Sequence, residues 1–163
     1  MMYTPDNKQL VSCSDDKTVR VWDTATGAEV RSFQTNDQIG GMELTKDGEI
    51  LTVATGNKVI FLDMASSMEK IKEVSIPCPT YTASLLRDQD IFVCGGEDLK
   101  LYKFDYTTGI EIDNFKGHFG PVHCVRFSPG NYRNPCRLSS DILAILLPSP
   151  PCVSLPIVAI QYS

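Results

Sequence analysis

Two histidines and a cysteine form the one grouping in this sequence that has the residue types of a zinc site. His118 and His123 lie five residues apart, and Cys124 follows the second histidine. Structural zinc needs four converging ligands at short spacings, and the six cysteines are scattered with no CxxC pair. A metal site is therefore disfavoured, no cofactor is expected, and the cysteines are interpreted as small buried apolar residues.

Nucleophilic catalysis would require a nucleophile, a base and an orienting carboxylate that converge in space. Both histidines lie at the entry to one predicted strand, which disfavours a Ser-His-Asp triad. We therefore expect a protein that is not an enzyme and has no catalytic residues. His118 is interpreted as a structural residue without its usual partners, and His123 as a strand residue that faces a neighbour or solvent.

Cation binding is the third chemistry that the residue types suggest, at the acidic pairs Asp15–Asp16 and Glu97–Asp98. Turn formation explains these pairs more simply, because an aspartate accepts hydrogen bonds from the backbone two residues further on. Trp22 is a candidate partner anchor, but packing within its own strand is favoured. Six dispersed lysines are expected to form a solvated surface: Lys8, Lys17, Lys46, Lys58, Lys100 and Lys103.

The composition is that of a folded globular protein, with 163 residues, 42% hydrophobic and 21% charged. A net charge of −5 repels phosphate backbones and anionic lipids, so direct nucleic-acid binding is disfavoured. The opening stretch MMYTPDNKQLVSC has neither a basic start nor an apolar run, so no secretory signal is recognised. We expect an intracellular protein with reduced thiols.

A repeat of about 41 residues organises the chain. Residues 14–33 and 96–115 match at an offset of 82 residues, which is twice 41, and residues 56–64 form a weaker copy between them. Asp6, Asp47 and Asp88 follow one another at steps of 41. The matched pairs are Asp16/Asp98, Val19/Leu101, Trp22/Phe104, Asp23/Asp105, Thr26/Thr108, Gly27/Gly109, Val30/Ile112 and Phe33/Phe115.

Each repeat reads as short strands joined by turns. The first unit contains QLVSCS, TVRVWD and AEVRSF, separated by the polar turns DDK and TATG. The middle unit contains four such strands in about 40 residues: IGGMELT, EILTVAT, KVIFLDM and EKIKEVSI. This pattern predicts an all-β protein built from antiparallel four-stranded meanders.

The repeat resembles the WD-repeat β-propeller family. The residues that carry the resemblance are Asp16, Trp22, Asp23, Asp98, Gly117, His118, Val122, Val125, Phe127 and Pro129. It implies a partial seven-bladed propeller of about three blades: an incomplete blade at 1–34, a degenerate blade at 35–76, a blade at 77–116 and the first strand of a further blade at 117–130. The innermost strand of the first blade is expected to be absent or reduced to a stub.

The resemblance also implies a hydrogen-bonded set within each blade, formed by a His, a Ser or Thr, a turn Asp and the Trp of the WD pair. The candidate structural residues for such sets are Ser12, Ser14, Asp16, Trp22, Asp23, Asp98, Asp105, Gly117 and His118. No unit of this chain contains all four members in register. Buried polar groups need partners, so we expect these sets to remain incomplete.

Residues 95–129 resemble, beyond the generic pattern, one branch of the family. The resemblance implies a non-catalytic interaction platform in the survival-of-motor-neuron complex, which assembles spliceosomal ribonucleoproteins for mRNA splicing. It also implies restraint of transforming growth factor-β receptor signalling, protein partners, and a cytoplasmic and nuclear location. A non-functional truncated or mis-spliced fragment is the alternative, and an enzyme or a membrane-anchored protein is a lesser one.

The tail at 131–163 departs from the repeat and is predicted to be proline-rich and irregular. A transmembrane anchor is suggested by the absence of charge in 142–163, but four prolines in that stretch oppose a helix. PSPP is a possible polyproline motif for a partner's aromatic groove. The favoured interpretation is an alternative exon, a retained intron or a gene-model extension that replaces the rest of the blade.

Overall fold

A computed structural model of the chain describes residues 1–127 and the backbone of the strand at 142–145. Three antiparallel sheets of four strands follow one another along the chain, and each has its strands in sequence order from the inner to the outer edge. In the described residues the one helical segment is a short 3-10 turn at Arg87–Gln89. The architecture is therefore all-β, as predicted, and the sheets do not close a ring.

The strand bounds are as follows. The first sheet has β1 (Met2–Tyr3), β2 (Gln9–Cys13), β3 (Thr18–Asp23) and β4 (Glu29–Gln34); the second has β5 (Ile39–Leu44), β6 (Ile50–Thr55), β7 (Lys58–Asp63) and β8 (Lys70–Ser75). The third has β9 (Thr80–Leu86), β10 (Ile91–Gly96), β11 (Lys100–Asp105) and β12 (Glu111–Lys116). A fourth sheet pairs β13 (Cys124–Phe127) with β14 (Ile142–Ile145).

The sheets pack face to face over three apolar cores. The first and second sheets share a core that includes Val19, Val21 and Leu51, and the second and third share one that includes Phe61 and Phe92. Because the second sheet is covered on both faces, all six residues of β6 are buried. A smaller core joins the third sheet to the segment that leads into β13: Val93, Leu101, Val122 and Val125, with Phe115 and Phe127 at its margin.

Two adjacent glycines let neighbouring segments approach the third sheet closely. A Cβ atom on Gly95 would lie 2.6 Å from Val122 Cγ1, and one on Gly96 would lie 1.8 Å from the Pro79 carbonyl oxygen. Real Cβ atoms do not tolerate such distances, so the GG pair in β10 is required by packing. It permits the Val122 side chain to contact the sheet directly.

A β-bulge recurs in the outermost strand of every four-stranded sheet. The pairing register skips one residue in β4, β8 and β12, namely Val30, Ile71 and Ile112, and these residues follow at steps of 41. Each is exposed and β-branched. The bulge turns the following side chain toward the face that meets the next sheet, as the contacts of Arg31 and Lys72 show below.

The fourth sheet differs from the sequence-based expectation. Residues 131–163 were predicted to be irregular, yet Ile142–Ile145 form a strand that pairs antiparallel with β13, with Cys124 opposite Ile145. Four apolar residues in extended conformation satisfy the otherwise open hydrogen-bonding edge of β13. The rest of the proline-rich tail, including the PSPP motif, lies outside the described residues.

Candidate interaction site

The aspartates at the end of the third strand each cap a turn. Asp23 Oδ1 accepts hydrogen bonds from the Thr26 N–H (2.8 Å) and the Thr26 hydroxyl (2.9 Å). Asp105 Oδ1 accepts the same pair from Thr108, at 2.6 and 2.8 Å. These hydrogen bonds hold the pKa of both carboxyl groups below the usual range. Asp63, at the same place in the second sheet, accepts from the Ala65 N–H (2.8 Å).

In the first sheet the structure joins two of the predicted network residues and separates the others. Trp22 Nε1 donates to Ser12 Oγ at 2.8 Å. Asp16 instead accepts hydrogen bonds from Thr18 and forms an ion pair with Arg20 (3.4 Å), within its own hairpin. Ser14 is exposed and accepts a long hydrogen bond of 3.5 Å from the Asp16 N–H.

In the third sheet a tyrosine binds the turn aspartate, a contact that was not predicted from the sequence. The Tyr102 hydroxyl donates to Asp98 Oδ2, and Lys100 Nζ lies 3.6 Å from the same oxygen. Burial would raise the pKa of Asp98, but the hydrogen bonds from Tyr102 and Cys78 outweigh it and keep that pKa low. Burial and the adjacent carboxylate raise the pKa of Tyr102. Tyr102 occupies the register of Arg20, which the 82-residue offset could have signalled.

The two histidines between β12 and β13, for which a zinc site was disfavoured, lie in different environments. His118, which follows Gly117, is buried, and neither of its ring nitrogens has a hydrogen-bond partner among the described residues. Burial lowers the pKa of His118. His123 is exposed and stacks on Tyr81 with ring centroids 5.3 Å apart. Within the residues that the structure describes, no three His, Cys, Asp or Glu side chains are placed to hold a metal ion.

A cation on the outer strand joins each of the first two sheets to the sheet that follows it. Arg31 on β4 donates to the carbonyls of Met64 (3.0 Å) and Ser66, in the turn after β7. Lys72 on β8 donates to the carbonyls of Tyr106 (2.5 Å) and Thr107 (2.7 Å), in the turn after β11. The roles of these two cations were not predicted from the sequence, although Arg31 and Lys72 are 41 residues apart.

A third cation joins the turn after β5 to the turn after β9, at the same end of the strands as the turns described above. Arg87 Nη1, in the turn after β9, lies 2.9 Å from Asp47 Oδ2 and also contacts Glu49 Oε2, both in the turn after β5. These hydrogen bonds and the nearby charges raise the pKa of Arg87. A single guanidinium therefore holds the two carboxylates of the preceding sheet.

The innermost strands are connected by a half-buried arginine. Arg126 on β13 has its Nε atom 3.3 Å from Glu43 Oε1 on β5, and its Nη1 atom donates to the Val125 carbonyl at 2.7 Å. The Val125 N–H donates to Thr82 Oγ1 on β9 (3.2 Å). Burial raises the pKa of Glu43 against the opposing effects of Ser84 and Arg126. Contacts therefore extend from the second sheet across the third to β13.

The sequence is similar to one family model and to several curated proteins. A profile for the family "WD domain, G-beta repeat" matches residues 1–23. The Serine-threonine kinase receptor-associated protein of Mus musculus is 48% identical over 128 residues, which are 78% of this chain. The protein of the same name from Homo sapiens is 46% identical over 128 residues, and that from Dictyostelium discoideum is 41% identical over 111 residues. Over these residues the chain is similar to proteins of the WD-repeat family.

Two solved structures share the fold of this chain. "Structure of U3-55K" superposes with a TM-score of 0.68 at 13% identity, covering 77% of this chain and 41% of that one. "Crystal structure of RRP9 WD40 repeats" gives 0.67 at 14% identity, covering 77% and 40%. The chain spans 36% of the length of the mouse and human relatives and 37% of the Dictyostelium one.

Proposed function

We propose that this WD-repeat protein is a non-catalytic scaffold that binds other proteins. The observation that supports this most is a stack of four-stranded sheets, whose turns are held by capping aspartates and by cations from the neighbouring sheet. Such turns present fixed polar groups at the strand ends, along one side of the stack, and loops positioned on a sheet scaffold commonly carry binding residues. In residues 1–127 neither histidine is hydrogen-bonded to a serine or a carboxylate, which supports a role without nucleophilic catalysis.

Receptor signalling is the first specific setting that we propose. Relatives that are 41 to 48% identical carry the name serine-threonine kinase receptor-associated protein, which supports association with a receptor of that class. Together with the resemblance of residues 95–129 to this branch, the name supports restraint of transforming growth factor-β receptor signalling by a protein that binds the receptor pathway.

Assembly of spliceosomal ribonucleoproteins in the survival-of-motor-neuron complex, and thus mRNA splicing, is the second proposed setting, carried by the family resemblance. It would place the protein in the cytoplasm and the nucleus. The net charge of −5 favours protein components of that complex over its RNA as the direct partners. No helix in the described residues has the length and apolar character that a bilayer crossing requires.

A fragment without a function of its own is the second candidate. It is favoured by the exposed apolar groups on the last described segments, since Ile110, Ile112 and Phe119 are each at least half exposed. Open sheet faces and apolar patches promote association with unrelated chains. A fragment of this kind would aggregate rather than bind selectively.

A capture experiment separates the two candidates. The tagged 163-residue chain is incubated with mammalian cell extract and probed for transforming growth factor-β receptors and survival-of-motor-neuron components. The Phe61→Asp variant, which cannot pack the core between the second and third sheets, is the misfolded control. Capture by the native chain but not by the variant is expected. A cooperatively melting monomer that captures neither set, or a chain that aggregates and binds hydrophobic dye, would overturn the scaffold role.

A further inference from the structure

The turn after β5 contains the single Asp-Gly pair of the sequence, Asp47–Gly48. An aspartate recurs at this place in all three repeats, but Asp6 is followed by Asn7 and Asp88 by Gln89. Glycine has no Cβ atom, so it leaves its backbone nitrogen free to attack the side-chain carboxyl carbon of the preceding aspartate. Asp47 is therefore the aspartate of this chain with the least hindered route to a cyclic succinimide.

Packing between the first and second sheets requires the glycine of this pair. Gly48 has a positive φ of 78°, a conformation that glycine adopts without steric cost. A Cβ atom at this position would lie 2.9 Å from Pro5 Cδ, in the turn after β1. A larger residue would push the turn away from the first sheet, so the reactive pair is a consequence of the fold.

Hydrogen bonds and an ion pair restrain both of the groups that would react. Asp47 Oδ1 accepts from the Thr45 hydroxyl and from the Glu49 N–H (3.0 Å). Asp47 Oδ2 lies 2.9 Å from Arg87 Nη1, in the third sheet. Burial would raise the pKa of Asp47, but these donors outweigh it and lower that pKa. The Gly48 N–H donates to the Thr45 carbonyl at 2.9 Å, so the nitrogen is engaged as well.

Succinimide formation requires these restraints to be released. The Gly48 nitrogen bonds to Asp47 Cγ, and the hydroxyl of the neutral carboxylic acid leaves as water, together with the proton of the nitrogen. An ionised carboxylate bound by a guanidinium has no such leaving group. Water then opens the ring on either side and restores the original composition, which gives aspartate again or isoaspartate, in which the main chain runs through Cγ.

We propose that Asp47–Gly48 is a site of spontaneous isoaspartate formation, and that Arg87 of the third sheet restrains the reaction. Packing of the third sheet thereby protects a turn of the second. Once isoaspartate has formed, its free carboxylate is attached at Cα, so the contacts with Thr45, Glu49 and Arg87 are lost. This inference is independent of the scaffold function proposed above.

The test follows isoaspartate at residue 47 by peptide mapping and mass spectrometry while the full chain is incubated at neutral pH. The native chain is compared with Arg87→Met, and both are also incubated in concentrated urea. The matched control is Arg20→Met, which removes an arginine that pairs with Asp16 (3.4 Å) and Glu29 (3.1 Å) within the first sheet. Circular dichroism checks that each variant retains its strands.

We expect isoaspartate to form at residue 47 at least about tenfold more slowly in the folded chain than in urea, because the reaction requires local opening of the turn. Arg87→Met should accelerate it about two- to fivefold in the folded chain, as the loss of an exposed ion pair allows. In urea the same variant should react at the native rate, and Arg20→Met should change neither rate.

Equal rates in the two folded arginine variants would overturn the proposal, as would isoaspartate that forms as fast at residue 88 as at residue 47 in urea. If Arg87→Met loses its strands, the native chain at low and high salt decides instead, because salt screens an exposed ion pair. A faster reaction of the folded chain in high salt, with the rate in urea unchanged, supports protection by Arg87. A rate in the folded chain that does not depend on salt overturns it.

Discussion

The second and third sheets share strand order, turn positions and bulges, but they differ in the pair of residues at the outer part of the face that meets the next sheet. In the second sheet this pair is Phe61 and Lys72, an apolar ring inside the core and a cation that binds the next turn. In the third it is Lys103 and Asp113. The same strand pattern therefore builds both sheets, whereas this pair differs with the element that packs next, a complete sheet after the second sheet and the β13 segment after the third.

The largest expected difference between the two faces concerns their aromatic residues. Phe61 is fully buried, with the ring centroids of Phe92 and Tyr106 at 5.2 and 4.9 Å. Phe61→Ala should lower the free energy of unfolding by about 3–5 kcal/mol. Phe115→Ala, at the half-buried margin of the third sheet's face, should lower it by about 1–2 kcal/mol. Equal losses in urea denaturation would remove the distinction between the faces.

The glycine pair of β10 is expected to allow the segment that leads into β13 to pack closely on the third sheet. Gly95→Ala places a Cβ atom against Val122, so overpacking should destabilise the fold by about 1–3 kcal/mol. Hydrogen exchange should accelerate in the amides of β13 more than in those of β6. Gly120→Ala is the control, since nothing lies within 4 Å of its added Cβ. Unchanged protection of β13 would contradict this explanation.

The outer-strand cation Lys72 should stabilise the second sheet, whereas Asp113, at the same position in the third sheet, should contribute little to the free energy of unfolding. Lys72→Met leaves two carbonyls of the turn after β11 without their ammonium donor, which should lower the free energy of unfolding by about 1 kcal/mol. Asp113→Asn should change it by less than about 0.5 kcal/mol. Thermal melts at matched ionic strength measure both. A larger loss of stability in Asp113→Asn than in Lys72→Met would contradict this difference between the two sheets.

The smallest expected effect is a pH dependence from His118. Burial lowers its pKa, so the unfolded chain binds a proton more readily than the folded one once the pH falls below about 6.5, the ordinary value. Stability should be fully present above that pH and decrease as the pH falls toward the lower folded pKa. His118→Gln should flatten melting temperatures between pH 7.5 and 5, whereas His123→Gln, at an exposed ring, should not. Identical profiles for both variants would exclude His118 as the source.

Much of the fold could be predicted because it depends on local patterns. The three sheets follow from short β-branched runs between polar turns, and the turn contacts of Asp16 and Asp98 with backbone N–H groups two residues on follow from turn chemistry. The hydrogen bond from Trp22 to Ser12 joins residues on adjacent strands of one hairpin. The strand at Ile142–Ile145 was not predicted, because four apolar residues among prolines carry no periodicity.

The inter-sheet contacts could not be predicted in the same way. Arg31 contacts the carbonyl of a residue 33 positions away and Arg87 a carboxylate 40 positions away. Which cation reaches which turn depends on the bulge in the outer strand and on the offset between stacked sheets. The 41-residue spacing of Arg31, Lys72 and Asp113 was visible, but it had no meaning until the direction of each side chain was known.

The sequence by itself determined the repeat, the antiparallel meanders and their turns, because period-two alternation and turn residues act over a few neighbouring positions. Only the tertiary structure decided which face of each sheet is covered and which charges meet across it. Those contacts join residues far apart in the chain, and packing of whole sheets, rather than local preference, brings them within hydrogen-bonding distance.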